Sequence, residues 1–253
     1  MTLPAEYRFV GDPAALERAG LFVAEGRAVV QRLLEDGRFR VHSIAVAPPA
    51  ATALEPVLAR LPDRPPLHIA DSAQLCATTG FNFHRGCLAL AFRPDALPVP
   101  DFSRATRILA LEGVGNPDNV GGLFRTAFAL GVDAVLLDSS SGDPFYRKAI
   151  RTSMAATLRL PFARVVTWPG GLDGLRRSGF EIVALTPAHD ASALQDYAAV
   201  PHPRLILAVG AEGAGLSAQM MRYADARVRI QIDDRADSLN VVVAAGIALS
   251  ALR

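Results

Sequence analysis

From Gly26 to about Glu35 the apolar residues recur with helical spacing, and they give way to a strand-like run at Val41–Ala47. A helix near Ala53–Arg60, short strands near Leu67–Ala70 and Cys87–Phe92, and a helix between those two strands complete a small α/β sandwich. Three prolines in Arg93–Asp101 break any regular element, so this stretch reads as a linker. Beyond it, apolar runs at Arg107–Leu111, Ala134–Leu137, Phe162–Val166, Glu181–Leu185, Leu205–Val209 and Arg227–Ile230 alternate with helical or loop segments. That alternation predicts a mostly parallel sheet with helices on both faces. The predicted division is therefore an α/β domain over 1–92, a linker over 93–106 and a second α/β domain over 107–253.

Composition narrows the picture. An apolar fraction of 51% excludes general disorder. Cys76 and Cys87 are too few for a disulfide framework and lack metal-type neighbours, so they are expected to be buried free thiols in a reducing compartment, with no metal bound. The first residues carry Glu6, Arg8 and Asp12 rather than the apolar stretch of a secretory signal. The most apolar run, Leu239–Leu252, falls short of the ~20 residues needed to cross a bilayer, so a cytoplasmic protein without membrane attachment is expected. A formal charge of +1 gives no global sign of a nucleic-acid partner. Lys148 is the sole lysine; the arginines that replace it elsewhere suit bidentate phosphate contacts without by themselves indicating them.

Three strand ends carry candidate chemistry. In the first, Glu112–Ala127, Asn116 is suited to cap a helix that has Pro117 at its first position and Asp118 in its first turn. Val120, Leu123, Phe124, Ala127, Phe128 and Gly131 fall on one stripe of that helix. Arg125 lies roughly 130° from the stripe and points toward the strand-end loops, where open α/β sheets bind ligands. The second, Leu205–Ser217, runs a buried strand into a turn spaced G-x-x-G-x-G. This spacing is neither a dinucleotide fingerprint nor a P-loop, which argues against a nicotinamide oxidoreductase. Glu212 within the turn disfavours phosphate and suits a hydroxyl, an amide or an arginine. In the third, Val228–Ala245, a strand ends in an acidic loop, and Ser238 reads as the N-cap of a last helix that is apolar on nearly every face. Such a helix requires full burial or a partner subunit.

In this order, N-P-x-N-x-G-x-x-x-R-x-A, V-G-A-E-G-A-G-L-S and I-x-I-(x5)-S-L-N-V resemble the three motifs of the SpoU/TrmH family within the SPOUT methyltransferases. Lys148–Ala155 is similar to the family's R-x-S-x-G stretch. Ala24-Glu25-Gly26-Arg27, Thr79-Gly80 and His84-Arg85-Gly86 resemble the family's small RNA substrate-binding domain. The chain departs from the family pattern at Ala155, Gln231, Ile232 and Val242, where glycine, proline, methionine and serine are common.

The resemblance implies a deep trefoil knot in the second domain, a homodimer formed through that domain, and transfer of a methyl group from S-adenosyl-L-methionine to a ribose 2′-hydroxyl of structured rRNA or tRNA. DNA, which lacks that hydroxyl, is excluded as substrate. Matching positions assign cofactor contacts to Thr186, Gly210, Glu212, Ile230, Ile232, Ser238 and Leu239. The same matching places Asn119, Arg125, Glu212, Ser238 and Asn240 around the reaction. Arg27, His84, Arg85, Arg147, Lys148 and Arg151 are candidate RNA contacts, with Arg159 and Arg164 extending the basic cluster. The alternative is a knotted RNA-binding or ribosome-assembly factor without turnover, against which the retained polar set argues.

Overall fold

The computed structural model describes residues 3–80, 86–94, 100–233 and 235–252. The chain divides into two compact units: Met1–Ala96 together with Pro144–Arg159, and Leu97–Asp143 together with Leu160–Arg253. The first unit thus recruits a segment that the sequence pattern assigned to the second domain.

In the first unit, β1 (Leu21–Glu25), β2 (Val41–Val46), β3 (Leu67–Ile69) and β4 (Cys87–Phe92) form a sheet of order β1-β4-β2-β3. Strand β4 is antiparallel to both β1 and β2, whereas β2 and β3 are parallel. Tyr7, Val10, Leu16 and Leu75 pack with Leu21, Val23, Ala45, Leu88 and Leu90 in one core cluster. The helix Arg27–Asp36 starts beyond Gly26 and stops at Gly37, which is left-handed at φ 69°. A helix predicted near Ala53–Arg60 begins earlier, at Pro48, because proline suits the first helical turn. The segment Pro144–Arg159 joins this unit through an aromatic cluster of Phe22, Phe39 and Phe145, with centroids 5.2–5.7 Å apart. It turns through two consecutive left-handed residues, Met154 (φ 53°) and Ala155 (φ 68°). Arg32 steadies this turn by donating to the Met154 carbonyl at 2.9 Å.

In the second unit, β5 (Arg107–Glu112), β6 (Ala134–Leu137), β7 (Phe162–Arg164), β8 (Glu181–Leu185), β9 (Ser192–Ala193), β10 (Leu205–Gly210) and β11 (Ala226–Arg229) form one sheet. Its order is β7-β6-β5-β10-β8-β11-β9, and every pair is parallel. Successive residues of β5, β6 and β10 are buried alike, as expected for a sheet covered on both faces. Strand β7 ends at Arg164, two residues before the predicted end, and Val166 is 93% exposed. Asn116 caps the helix Pro117–Ala129 by accepting from Asp118 N at 2.9 Å. Periodicity places Phe128 and Gly131 on one stripe with the buried residues, but Phe128, in the last turn, and Gly131, beyond the helix, are exposed.

The last helix spans Val241–Ala251, and its N-cap is Asn240, whose side chain accepts from Val242 N at 2.9 Å. Ser238 is therefore not the cap; it stays in the loop two residues upstream. This helix lies tightly against Pro117–Ala129: a Cβ on Gly122 would meet Val242 Cγ2 at 2.7 Å, and one on Gly246 would meet Thr126 Cγ2 at 3.3 Å. Its Val241, Ala245, Ala248 and Leu249 are buried, whereas Val243 and Ile247 are exposed. Among the described residues no helix is long and apolar enough to cross a membrane.

Candidate active site

The order of the parallel sheet reverses at β5, which has β6 on one side and β10 on the other, and ligands of such sheets bind at the carboxyl ends of the strands beside that reversal. A cavity of about 630 Å³ opens on the β10 side of that reversal, lined by residues that follow β8 (Thr186, Pro187), β10 (Ala211–Gly213, Gly215) and β11 (Ile230, Ile232), and by Asp237–Val241 at the start of the last helix. All seven positions matched to cofactor contacts border it: Thr186, Gly210, Glu212, Ile230, Ile232, Ser238 and Leu239. Leu185, Val209, Ile230, Ile232 and Leu239 supply apolar wall, and Glu212, Asp237, Ser238 and Asn240 supply polar groups.

The turn after β10 can exist only with glycine at its entrance. A Cβ on Gly210 would lie 2.1–2.3 Å from the Gly215 carbonyl and Leu216 N, inside the backbone of the returning turn. Gly213 (φ 83°) and Gly215 (φ 66°) adopt left-handed conformations, and Gly215 N closes the turn on the Ala211 carbonyl at 2.9 Å.

A polar chain joins all three motif segments. Asn240 Nδ2 donates to Glu212 Oε1 at 2.8 Å and to Asn119 Oδ1 at 3.2 Å. Asn119 is buried, so the chain runs from the core to the cavity rim. Asn240 thus uses its oxygen to cap the helix and its amide to tie the other two segments together. Arg125 is exposed, makes no hydrogen bond or ion pair among the described residues, and does not line the cavity. Ser238 lines the cavity without joining the polar chain.

Two buried carboxylates outside the matched sets support these loops. Glu112, the last residue of β5, accepts from Trp168 Nε1, Ser217 N and Ser217 Oγ, each at 2.7 Å. Asp138, just past β6, accepts from Gly113 N, Ser141 N and the hydroxyls of Ser140 and Ser141. Desolvation pushes the Asp138 carboxyl up, but these donors together outweigh it and hold the group below the ordinary carboxylate value. Sequence reasoning passed over both residues. Their signal was an acidic residue closing a buried apolar strand, a position that obliges it to find donors.

In the first unit, Arg27 is exposed. His84 and Arg85 lie outside the described residues. Arg147 and Arg151 differ from a solvated basic cluster: both face the buried Glu25 carboxylate, at 2.8 and 3.7 Å. Lys148 shares their helix, Arg147–Thr152. Arg159 faces Asp36 at 3.8 Å, and Arg164, in the second unit, donates to the carbonyls of Asp138, Ser141 and Gly142. Burial pushes the Cys87 thiol up to about 12, against a lowering influence from Arg27.

A sequence profile of the SpoU rRNA methylase family matches residues 106–250. An uncharacterised tRNA/rRNA methyltransferase of Mycobacterium tuberculosis is 40% identical over 235 residues, covering 90% of this chain and 79% of its own. The 23S rRNA (guanosine(2553)-2′-O)-methyltransferase RlmP of Bacillus subtilis is 31% identical over 158 residues, 62% of each chain. The SpoU methyltransferase AviRb of Streptomyces viridochromogenes, solved in complex with AdoMet, superposes with a TM-score of 0.80 at 22% identity, over 98% of this chain and 95% of AviRb.

Proposed function

Because the chain belongs to the SpoU rRNA methylase family, we propose that it methylates a ribose 2′-hydroxyl of a structured RNA with S-adenosyl-L-methionine as donor. One observation carries this reading: a single cavity gathers all seven residues matched to the family's cofactor contacts. Its volume lies within the ~300–1,000 Å³ usual for small-ligand sites, and its mix of apolar wall, glycine backbone and a few polar groups fits an adenosyl amino acid. The 2′-O-methyltransferase RlmP and the AdoMet-bound AviRb support the choice of reaction and donor.

Thr186, Gly210, Glu212, Ile230, Ile232, Ser238 and Leu239 would hold the donor, which supplies a methyl group on a positively charged sulfur. The chain's own task is to orient and activate a weakly acidic alcohol. Asn119, held by Asn240, helps to orient the incoming ribose, and Glu212 keeps Asn240 in place. A guanidinium does not give up its proton in proteins, so Arg125 acts by gripping a neighbouring phosphate and stabilising the charge that develops on the attacking oxygen.

Arg125 and Asn119 occupy different sides of one helix, which fits a homodimer in which Arg125 serves the partner's cavity. The neighbouring groove, lined by Thr126, Val242, Gly246 and the exposed Val243 and Ile247, is the surface we assign to that dimer. The first unit, with Arg27, His84, Arg85, Arg147, Lys148 and Arg151, binds the RNA, and the threaded knot belongs to the same reading. The reaction takes place in the cytoplasm.

Calorimetry with S-adenosyl-L-methionine, followed by radiolabelled methyl transfer to total RNA and nucleoside analysis, tests the function. Arg125→Ala is expected to bind the donor normally and to lose transfer. Undiminished single-turnover transfer at saturating RNA would overturn the role of Arg125, and absence of a 2′-O-methylated product would overturn the reaction.

A further inference from the structure

The glycine turn that borders the cavity has a fixed entrance, because β10 runs into it, but its return needs a separate anchor. Register places Gly210, the first residue of the turn, directly beside Glu112 on the neighbouring strand. From that position the Glu112 side chain reaches the other end of the turn, where both Ser217 donors point at its carboxylate. Entrance and exit of the turn are thereby clamped to one residue of β5. The clamp has no slack in its proton arrangement. Ser217 Oγ accepts from Met220 N at 3.0 Å as the cap of the helix Ala218–Tyr223, so its own proton is directed to Glu112. Three donors converge on the two oxygens: Oε1 accepts from the Trp168 indole and the Ser217 hydroxyl, and Oε2 accepts from Ser217 N.

We propose that Glu112 is a positioning residue: through Ser217 it sets the shape of the Gly210–Gly215 turn and hence the affinity of the cavity for its adenosyl ligand. This rests on the proposed function for the ligand but not for the turn. Glu112 does not line the cavity, so its influence must pass through backbone. Glutamine cannot replace it. With its amide at either oxygen position, an NH₂ faces a donor, either Ser217 N or the Trp168 indole.

The experiment compares Glu112→Gln, Ser217→Ala and Trp168→Phe in the full chain, with folding followed by circular dichroism. Trp168→Phe removes one donor to Glu112 and leaves the tie to Ser217, so it separates positioning of the turn from general loosening around Glu112. Loss of a charge-assisted hydrogen bond is expected to raise the calorimetric Kd for S-adenosyl-L-methionine about tenfold in Glu112→Gln and Ser217→Ala. Trp168→Phe is expected to stay within about twofold of the wild type, since the indole lies outside the turn and both Ser217 donors to Glu112 remain in place. Amide exchange supplies a readout independent of any ligand: the Gly215 N–H, bonded within the turn, exchanges faster in the first two variants and not in the third. Wild-type affinity and unchanged Gly215 exchange in Glu112→Gln and Ser217→Ala overturn the proposal, as does equal weakening in Trp168→Phe. Wild-type protein that takes up no donor overturns the proposed function, and the exchange measurement still decides the role of Glu112. Should Glu112→Gln fail to fold, Ser217→Ala carries the test.

Discussion

Substituting Gly122 by alanine places two opposing effects at one contact. Within the helix Pro117–Ala129, alanine is better than glycine by roughly 0.5–1 kcal/mol because the unfolded chain has less freedom to lose. The new methyl, however, would sit 2.7 Å from Val242 Cγ2 and 3.1 Å from Cγ1. Valine in a helix holds essentially one rotamer, so it cannot turn aside without cost. Overpacking of this kind costs about 1–3 kcal/mol. The net change for Gly122→Ala is therefore a loss of about 0–2.5 kcal/mol.

In a Val242→Ala background both methyls are gone and only the Cβ, at 3.5 Å, faces the new group. Gly122→Ala should then stabilise the protein by about 0.5–1 kcal/mol. The sign reverses between backgrounds, and the cycle gives a coupling of about 1–3 kcal/mol. Thermal melting of the four proteins reads this out at about 2–4 °C per kcal/mol for a chain of this size. Equal shifts from Gly122→Ala in both backgrounds would refute the close approach of the two helices.

Asp138→Asn is expected to destabilise the protein by about 1–3 kcal/mol at neutral pH, because an amide presents donors to groups that are themselves donors. The native carboxyl lies below its unfolded value, so its contribution is complete above the ordinary carboxylate range and is lost as pH falls through the native value; the gap between wild type and variant in melts from pH 7 down to 3 should narrow accordingly. With its thiol pushed up to about 12 by burial, Cys87 should stay unreactive toward a disulfide reagent at pH 8 until the protein is unfolded, and rapid native labelling at Cys87 would contradict that burial. Ala155→Gly relieves a left-handed residue and should raise stability by about 0.5–1 kcal/mol, less whatever its buried methyl contributed; a lowered melting temperature would show that the methyl matters more.

Much of the site was legible because its determinants are local. Asn116-Pro117 announces a helix start by chemistry alone, and the glycine spacing after β10 announces a turn. Ser238 and Asn240 are equally good caps by type, and only the hydrogen bonds of Asn240 to Glu212 and Asn119, residues distant in sequence, decide between them. Strand β9 has two residues, too few for any periodicity to register. The location of Pro144–Arg159 was illegible for a deeper reason. Its apolar positions state that it is buried, but which core receives it depends on Glu25 meeting Arg147 and on Phe22 meeting Phe145, contacts made across more than a hundred residues.

That borrowed segment has a consequence for biosynthesis. Glu25 leaves the ribosome well ahead of Arg147 and Arg151, so a buried carboxylate must wait for its counter-charges. At ordinary elongation rates of ~5–20 residues per second, the stretch between Ala96 and Arg159 delays completion of the first unit by about 3–13 s. During that interval the nascent first unit lacks the arginines that face Glu25 and the Phe145 ring that packs on Phe22 and Phe39.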